Sequence, residues 1–185
     1  MNLTKRIVLD SLLVAVIIIC AMISFPLGSV PVTLQVFGVF LVIMITPSLD
    51  GIIIVGLYVL LGTAGLPVFA GGTSGSFASP TYGFIIGFLL SAVIIGIIKY
   101  IFESKEIFKS KKILTFIIYA MLFILITYAC GIPYFMVILK MKFWPSLLYF
   151  LPFIGIDAAK LIIVYFIYER IKNVIHQTTN SKDAE

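Results

Sequence analysis

The chain has 185 residues, 62% of them hydrophobic and only 11% charged, with a net charge of +5 and a mean hydropathy of +1.21. A soluble domain of this length needs far more polar surface, and about 20 apolar residues make one membrane span, so the composition points to a single integral membrane domain over residues 1–185. The positive charge does not imply a nucleic-acid partner, because the basic residues cluster beside apolar runs in the manner of the positive-inside rule.

A first helix is expected from about Thr4 to Ser24, stopped by Phe25-Pro26-Leu27-Gly28. Lys5 and Arg6 before an apolar run superficially resemble a signal peptide, but no small-x-small cleavage pattern precedes the next span, so this helix is read as retained. Within it, Ser11 and Ala15 form a small-residue pair four apart, which permits close approach of another helix in lipid. Gly28 to Gln35 reads as a link into a second span that ends near Thr46-Pro47. Thr33 and Gln35 stand at the entrance of that span, where unsatisfied polar atoms are expensive. Capping and interhelical hydrogen bonds would satisfy them, and so would a ligand. Asp50 is a plausible helix cap in the turn Ser48–Gly51, and a short, glycine-interrupted third span follows from Gly51 to about Thr63.

The stretch from Gly62 to Thr81 is too rich in glycine and proline to continue a helix, yet it carries no charge. With Phe69 and Phe77 in it, it reads as a neutral outer loop that folds back as a lid over a pocket, and Gly71 and Gly72 would let backbone N–H groups approach a ligand. It lacks the Gly-Lys-Ser/Thr ending of a phosphate loop.

A fourth span is expected from Thr81 to Phe102, followed by the polar run Glu103 to Lys112 with its four lysines. The fifth runs from Ile113 to about Cys130, where Gly131-Ile132-Pro133 kinks or ends it. Tyr134 to Leu151, with Lys140, Lys142, Trp144 and Pro145, reads as short helices at the outer surface. The sixth span opens near Pro152 and runs to about Tyr168, ahead of a polar tail with the sole histidine, His176. The fold class is therefore all-α: six transmembrane helices with a Gly/Pro-rich outer loop. Lys5, Arg6, Lys99, the loop lysines, Arg170, Lys172 and Lys182 then share one face, which is cytoplasmic and holds both termini.

Asp157 and Lys160 place opposite charges three apart, on one helix face, in otherwise apolar sequence. Each charge costs roughly 2.5–3.5 kcal/mol at the centre of a bilayer, so the pair is expected to face a polar ligand inside the bundle, the alternative being a structural ion pair that only locks helices together. It falls on the outer side, where the neutral loop also lies. Cys20 and Cys130 sit in apolar spans, where a thiol is usually a small hydrophobe.

Taken together, Val30-Pro31-Val32-Thr33-Leu34-Gln35, Gly62, Gly65-Leu66-Pro67-Val68-Phe69-Ala70-Gly71-Gly72, Pro80-Thr81, Gly83, Leu151-Pro152-Phe153 and Asp157-Ala158-Ala159-Lys160 give the chain, over nearly its whole length, a sequence that resembles the BioY family, the biotin-binding S components of energy-coupling-factor vitamin transporters. The resemblance implies a six-helix subunit in the plasma membrane that captures biotin from outside. It would deliver the vitamin with a separate membrane coupling protein and two ATPases, with Ser11 and Ala15 on the face that meets the coupling protein.

The residues suit biotin chemically. A carboxylate only accepts hydrogen bonds and an ammonium only donates, so Asp157 and Lys160 together can read a cyclic urea, which offers two N–H donors and one carbonyl. Phe69, Phe77 and Tyr82 are candidate apolar walls. The tail carboxylate would find Ser74, Ser76, Ser79, Thr81 or glycine N–H groups in the loop, or Lys160 itself. No cofactor is called for. The competing readings are a stand-alone small-solute transporter, an S component for another vitamin, and a membrane enzyme. The last would need a nucleophile with a base or a metal cluster, which the isolated cysteines and single histidine do not supply.

Overall fold

The computed structural model describes residues 3–27, 30–75, 77–102 and 112–182, with side chains to residue 171. Among these residues there are six α-helices and one short hairpin: α1 (Leu3–Met22), β1 (Ser24–Leu27), β2 (Val30–Thr33), α2 (Gln35–Ile45), α3 (Ser48–Thr63), α4 (Tyr82–Phe102), α5 (Lys112–Leu139) and α6 (Phe143–Lys182). The polar run at 103–111 and the residues of the hairpin turn, 28–29, lie outside the described residues.

Helices α4, α5 and α6 are long and apolar enough to cross a membrane. Helix α2 has 11 residues and α3 has 16; at 1.5 Å per residue they reach only about 16 and 24 Å, short of a core roughly 30 Å thick. Lys5, Arg6 and Asp10 interrupt the first half of α1. Six helices are therefore present, and three of them satisfy the length and composition of a span.

Glycines set how closely the long helices approach. A Cβ on Gly87 of α4 would stand 2.8 Å from the Thr127 backbone of α5, and one on Gly131 of α5 would run into the ring of Phe84 on α4. Each helix presents a notch to a bulky residue of the other. Phe40 and Tyr58 are fully buried in the main core, with Phe123. An aromatic cluster of Tyr128, Phe135, Phe150 and Phe153 fills the space between α5 and α6 at the hairpin end.

At the opposite end, polar groups tie helices together. Arg6 of α1 bonds Asp50 in the first turn of α3. Asp50 is thus no N-cap: that position is Pro47, which makes no side-chain capping bond. Lys99 of α4 is buried and donates to the carbonyls of Ile43 (2.9 Å) and Thr46 (2.8 Å), which the C-terminus of α2 leaves without intrahelical partners. The sequence counted it among the basic residues of the cytoplasmic face; in the structure it caps a neighbouring helix.

Three boundaries differ from the sequence reading. The segment read as a plain link, and so the strictly all-α expectation, gives way to an antiparallel pairing of Phe25 with Val32 and Leu27 with Val30. Helix α5 runs unbroken through Pro133, because the close-packed bundle holds it and membrane helices re-satisfy the freed carbonyl locally. It ends instead at Lys140, whose φ of 53° lets Met141 N–H reach back to Met136 O at 3.1 Å, a Schellman closure. Beyond it the expected separate surface helices are the first turns of α6, which starts at Phe143 rather than Pro152. Pro145 sits in its first turn, where a missing N–H leaves no helical bond unmade.

Candidate binding site

Asp157 and Lys160 sit one turn apart on α6 and face the bundle interior, each only 8% exposed. Lys160 Nζ donates to Asp157 Oδ1 at 2.7 Å, and also to the backbone carbonyl of Thr33 at 2.7 Å. The other carboxylate oxygen, Oδ2, accepts the hydroxyl proton of Tyr128 on α5 at 2.8 Å. Three elements (β2, α5 and α6) thus meet at one ion pair. Removing such a pair from water is expensive, and the added hydrogen bonds from Tyr128 and to Thr33 are what such burial demands. Each carboxylate oxygen keeps a lone pair, and the ammonium a third proton, for a bound molecule.

The Tyr128 ring is fixed edge-on to Phe84 at 5.4 Å between centroids, so its hydroxyl is aimed rather than free to swing. Sequence reasoning missed this residue. A tyrosine in an apolar span looks like any other aromatic, and its only signal was a hydroxyl in a stretch that otherwise needs none.

The pair opens onto a hollow enclosed by the hairpin, the loop before α4, and helices α2, α4, α5 and α6. Of the thirteen residues expected at the ligand, nine line it: Thr33, Gln35, Phe69, Ser74, Ser79, Thr81, Tyr82, Asp157 and Lys160. Gly71 and Gly72 do not. They form the tight turn Ala70–Gly72 with φ of 64° and 80°, and their freedom serves that turn. Phe77 also lies outside the lining, 74% exposed and edge-on to Tyr82. Ser76 falls outside the described residues. The hairpin adds Val30 and Val32, α5 adds Tyr128, and α4 and α6 add Phe84, Phe88, Phe150 and Phe153 to the walls.

The loop before α4 is held over this hollow by specific contacts. A Cβ on Gly62 would lie 2.1 Å from a ring atom of Phe69, so the missing side chain of α3 is the seat for that phenyl group. Phe69 packs edge-on to Tyr58 and is buried to 4% exposure. Gly75 N–H donates to Gly62 O at 2.8 Å, and Tyr134 of α5 donates its hydroxyl to Phe77 O at 2.6 Å. Gln35 donates to the Tyr58 hydroxyl, while Thr33 Oγ1 accepts the Gln35 N–H at 3.2 Å. These two residues bond within the fold and also line the hollow.

Ser11 and Ala15 lie on an exposed face of α1, away from this site. The Ser11 hydroxyl donates to Ile7 O of the preceding turn at 2.8 Å, among the exposed side chains of Val8, Leu12 and Ile19.

A sequence model of the BioY family matches residues 1–177. The chain is similar to a biotin transporter BioY of Thermotoga maritima, 42% identical over 106 residues that cover 56% of this chain and 61% of that protein. It is 30% identical to a biotin transporter BioY of Rhizobium etli, over 86% of this chain and 89% of that one. Against a second relative, biotin transporter BioY2 of Lactococcus lactis, the match spans 46% of the relative's length, so with the Thermotoga protein the chain spans less than two thirds of both. A crystal structure of the S-component for biotin from an ECF-type ABC transporter superposes with a TM-score of 0.77 at 26% identity, over 94% of this chain and 95% of that one.

Proposed function

The chain belongs to the BioY family, and from that premise we propose that it is the biotin-capturing S component of an energy-coupling-factor uptake system in the cell membrane. The observation that carries this reading is the hollow itself: an acid, a base and a tyrosine hydroxyl converge on one side of a cavity otherwise walled by aromatic and aliphatic groups. A cyclic urea matches that convergence. Its carbonyl accepts a hydrogen bond from Lys160, its N–H groups donate to Asp157, and charge-assisted bonds of this kind are the strong ones. The thiophane ring and aliphatic tail lie against Phe69, Tyr82, Phe84 and Phe153, and the tail runs toward the loop hydroxyls of Ser74, Ser79 and Thr81.

The pocket end faces outward and the end with Arg6 and Lys99 faces the cytoplasm, in keeping with the positive-inside rule; all six helices cross, the short α2 and α3 as the shallow pair, and both termini are cytoplasmic. Transport requires a membrane coupling protein and two ATPases, and the Ser11–Ala15 face of α1 is where the coupling protein docks. The relatives' names describe transporters rather than enzymes, and this chain performs no covalent chemistry on its ligand.

Mass spectrometry of small molecules released from the purified protein tests the reading directly. Biotin is expected in near-equimolar amount after growth on medium containing it. A different vitamin in its place, or titration calorimetry that shows no biotin binding to ligand-free protein, overturns the assignment.

A further inference from the structure

We propose that this site does not require an ionised tail: it accepts cyclic-urea ligands whose tail ends in a primary amide or ester about as well as those ending in a carboxylate. The inference rests on the functional reading above and extends it to the class of ligand the pocket admits.

Among the residues that line the hollow, Lys160 is the one cation and Asp157 the one carboxylate, so the wall carries no net charge. Two of the ammonium's three protons are already committed, with Asp157 Oδ1 and Thr33 O each 2.7 Å away, and the third is the one offered to the urea carbonyl. A second carboxylate placed against Lys160 would also stand against Asp157, and like charges sharing a site repel. A neutral dipolar group such as a urea meets no such penalty at the pair, so the pair selects the head of the ligand and not its tail.

The wall supplied by the loop has only neutral groups to offer. Ser79 and Thr81 share a hydrogen between their hydroxyls at 3.0 Å, and the Thr73 hydroxyl donates to Ala70 O at 3.0 Å. Hydroxyls can donate to a carbonyl as readily as to a carboxylate, and they accept from an amide, which a cation cannot do. An ionised tail taken out of water here gains no opposite charge in return.

The test uses the purified full chain in detergent, titrated by calorimetry with biotin, its primary amide and its methyl ester. A charge-assisted contact to the tail would separate acid from amide by about 10- to 150-fold. The expected result is an amide Kd within about tenfold of that for biotin. An amide more than tenfold weaker overturns the proposal while leaving the biotin reading intact. Failure of all three ligands to bind sinks the functional reading, and this inference with it. As a second arm, Ser79→Lys introduces a cation beside the tail and is expected to shift the amide-to-acid ratio of Kd upward by tenfold or more; an unchanged ratio in a variant that still binds biotin counts against a tail located at the loop.

Discussion

The Tyr128 hydroxyl on α5 donates to Asp157 Oδ2 on α6 at 2.8 Å, on the oxygen that Lys160 leaves open. The carboxylate is therefore gripped from two helices, and its orientation is set before any ligand arrives. Tyr128→Phe keeps the ring and its packing on Phe84 but removes the proton donor. Ligand affinity is expected to fall about tenfold, in line with a hydrogen bond to a charged group worth roughly 1.5–3 kcal/mol. Calorimetry on a variant with a near-native unfolding midpoint checks this; an affinity within twofold of the parent would remove Tyr128 from the recognition of ligand.

The two charges should depend on each other. Asp157→Asn or Lys160→Met leaves its former partner buried without a counter-charge, and breaking such a pair costs about 3–5 kcal/mol. Each single variant should also lose ligand affinity by about 10- to 150-fold. The double variant should bind no better yet unfold at a higher temperature than the less stable single. Thermal unfolding of all three without ligand is the measurement, and a double variant that falls by the sum of the singles would contradict the coupling.

Lys99→Met should separate stability from binding. It frees the carbonyls of Ile43 and Thr46 at the far end of the bundle, with a loss of about 1–3 kcal/mol for buried acceptors left without a donor. Because Lys99 does not line the hollow, biotin affinity of the folded variant should match the parent. A parallel loss of affinity would mean that the α2–α4 junction reaches the site.

Gly62→Ala should do the reverse. The added methyl would occupy the space of the Phe69 ring, which must leave its seat. Overpacking of this kind costs about 1–3 kcal/mol, and displacing Phe69 removes a wall of the hollow, so weaker binding accompanies the lower unfolding midpoint. Unchanged affinity would show that Phe69 does not touch the ligand.

On α1, Ala15→Trp should leave biotin binding intact and abolish uptake by cells that carry the complete transporter. Normal uptake would clear this face of the docking role.

What the sequence revealed and what it hid follows from how each signal arises. Asp157 and Lys160 were legible because charge in an apolar run is costly enough to demand a reason. The loop was legible because glycine and proline exclude a helix while the lack of charge excludes an ordinary solvated turn. Lys99 was read only as one of the basic residues of one face, and its capping of α2 stayed hidden because the sequence does not show another helix's open carbonyls beside it. The hairpin was hidden by Pro26 and Pro31, residues that argue against strand pairing; they face each other in its register. Pro133 misled in the opposite direction, since its local preference to end a helix was overruled by the packing of α4 against α5. Tyr128 and the phenylalanines around it carried no signal, because aromatic residues in a span are the expected background.

The bond from Lys160 to the Thr33 carbonyl joins points 127 residues apart in the chain. During synthesis the hairpin and the loop emerge first, and neither has α6 to close against until Lys160 has been made. A product stalled before α6 therefore lacks the Asp157–Lys160 pair and leaves the Thr33 carbonyl without its donor, so the hollow that the pair lines takes shape only once α6 is in place.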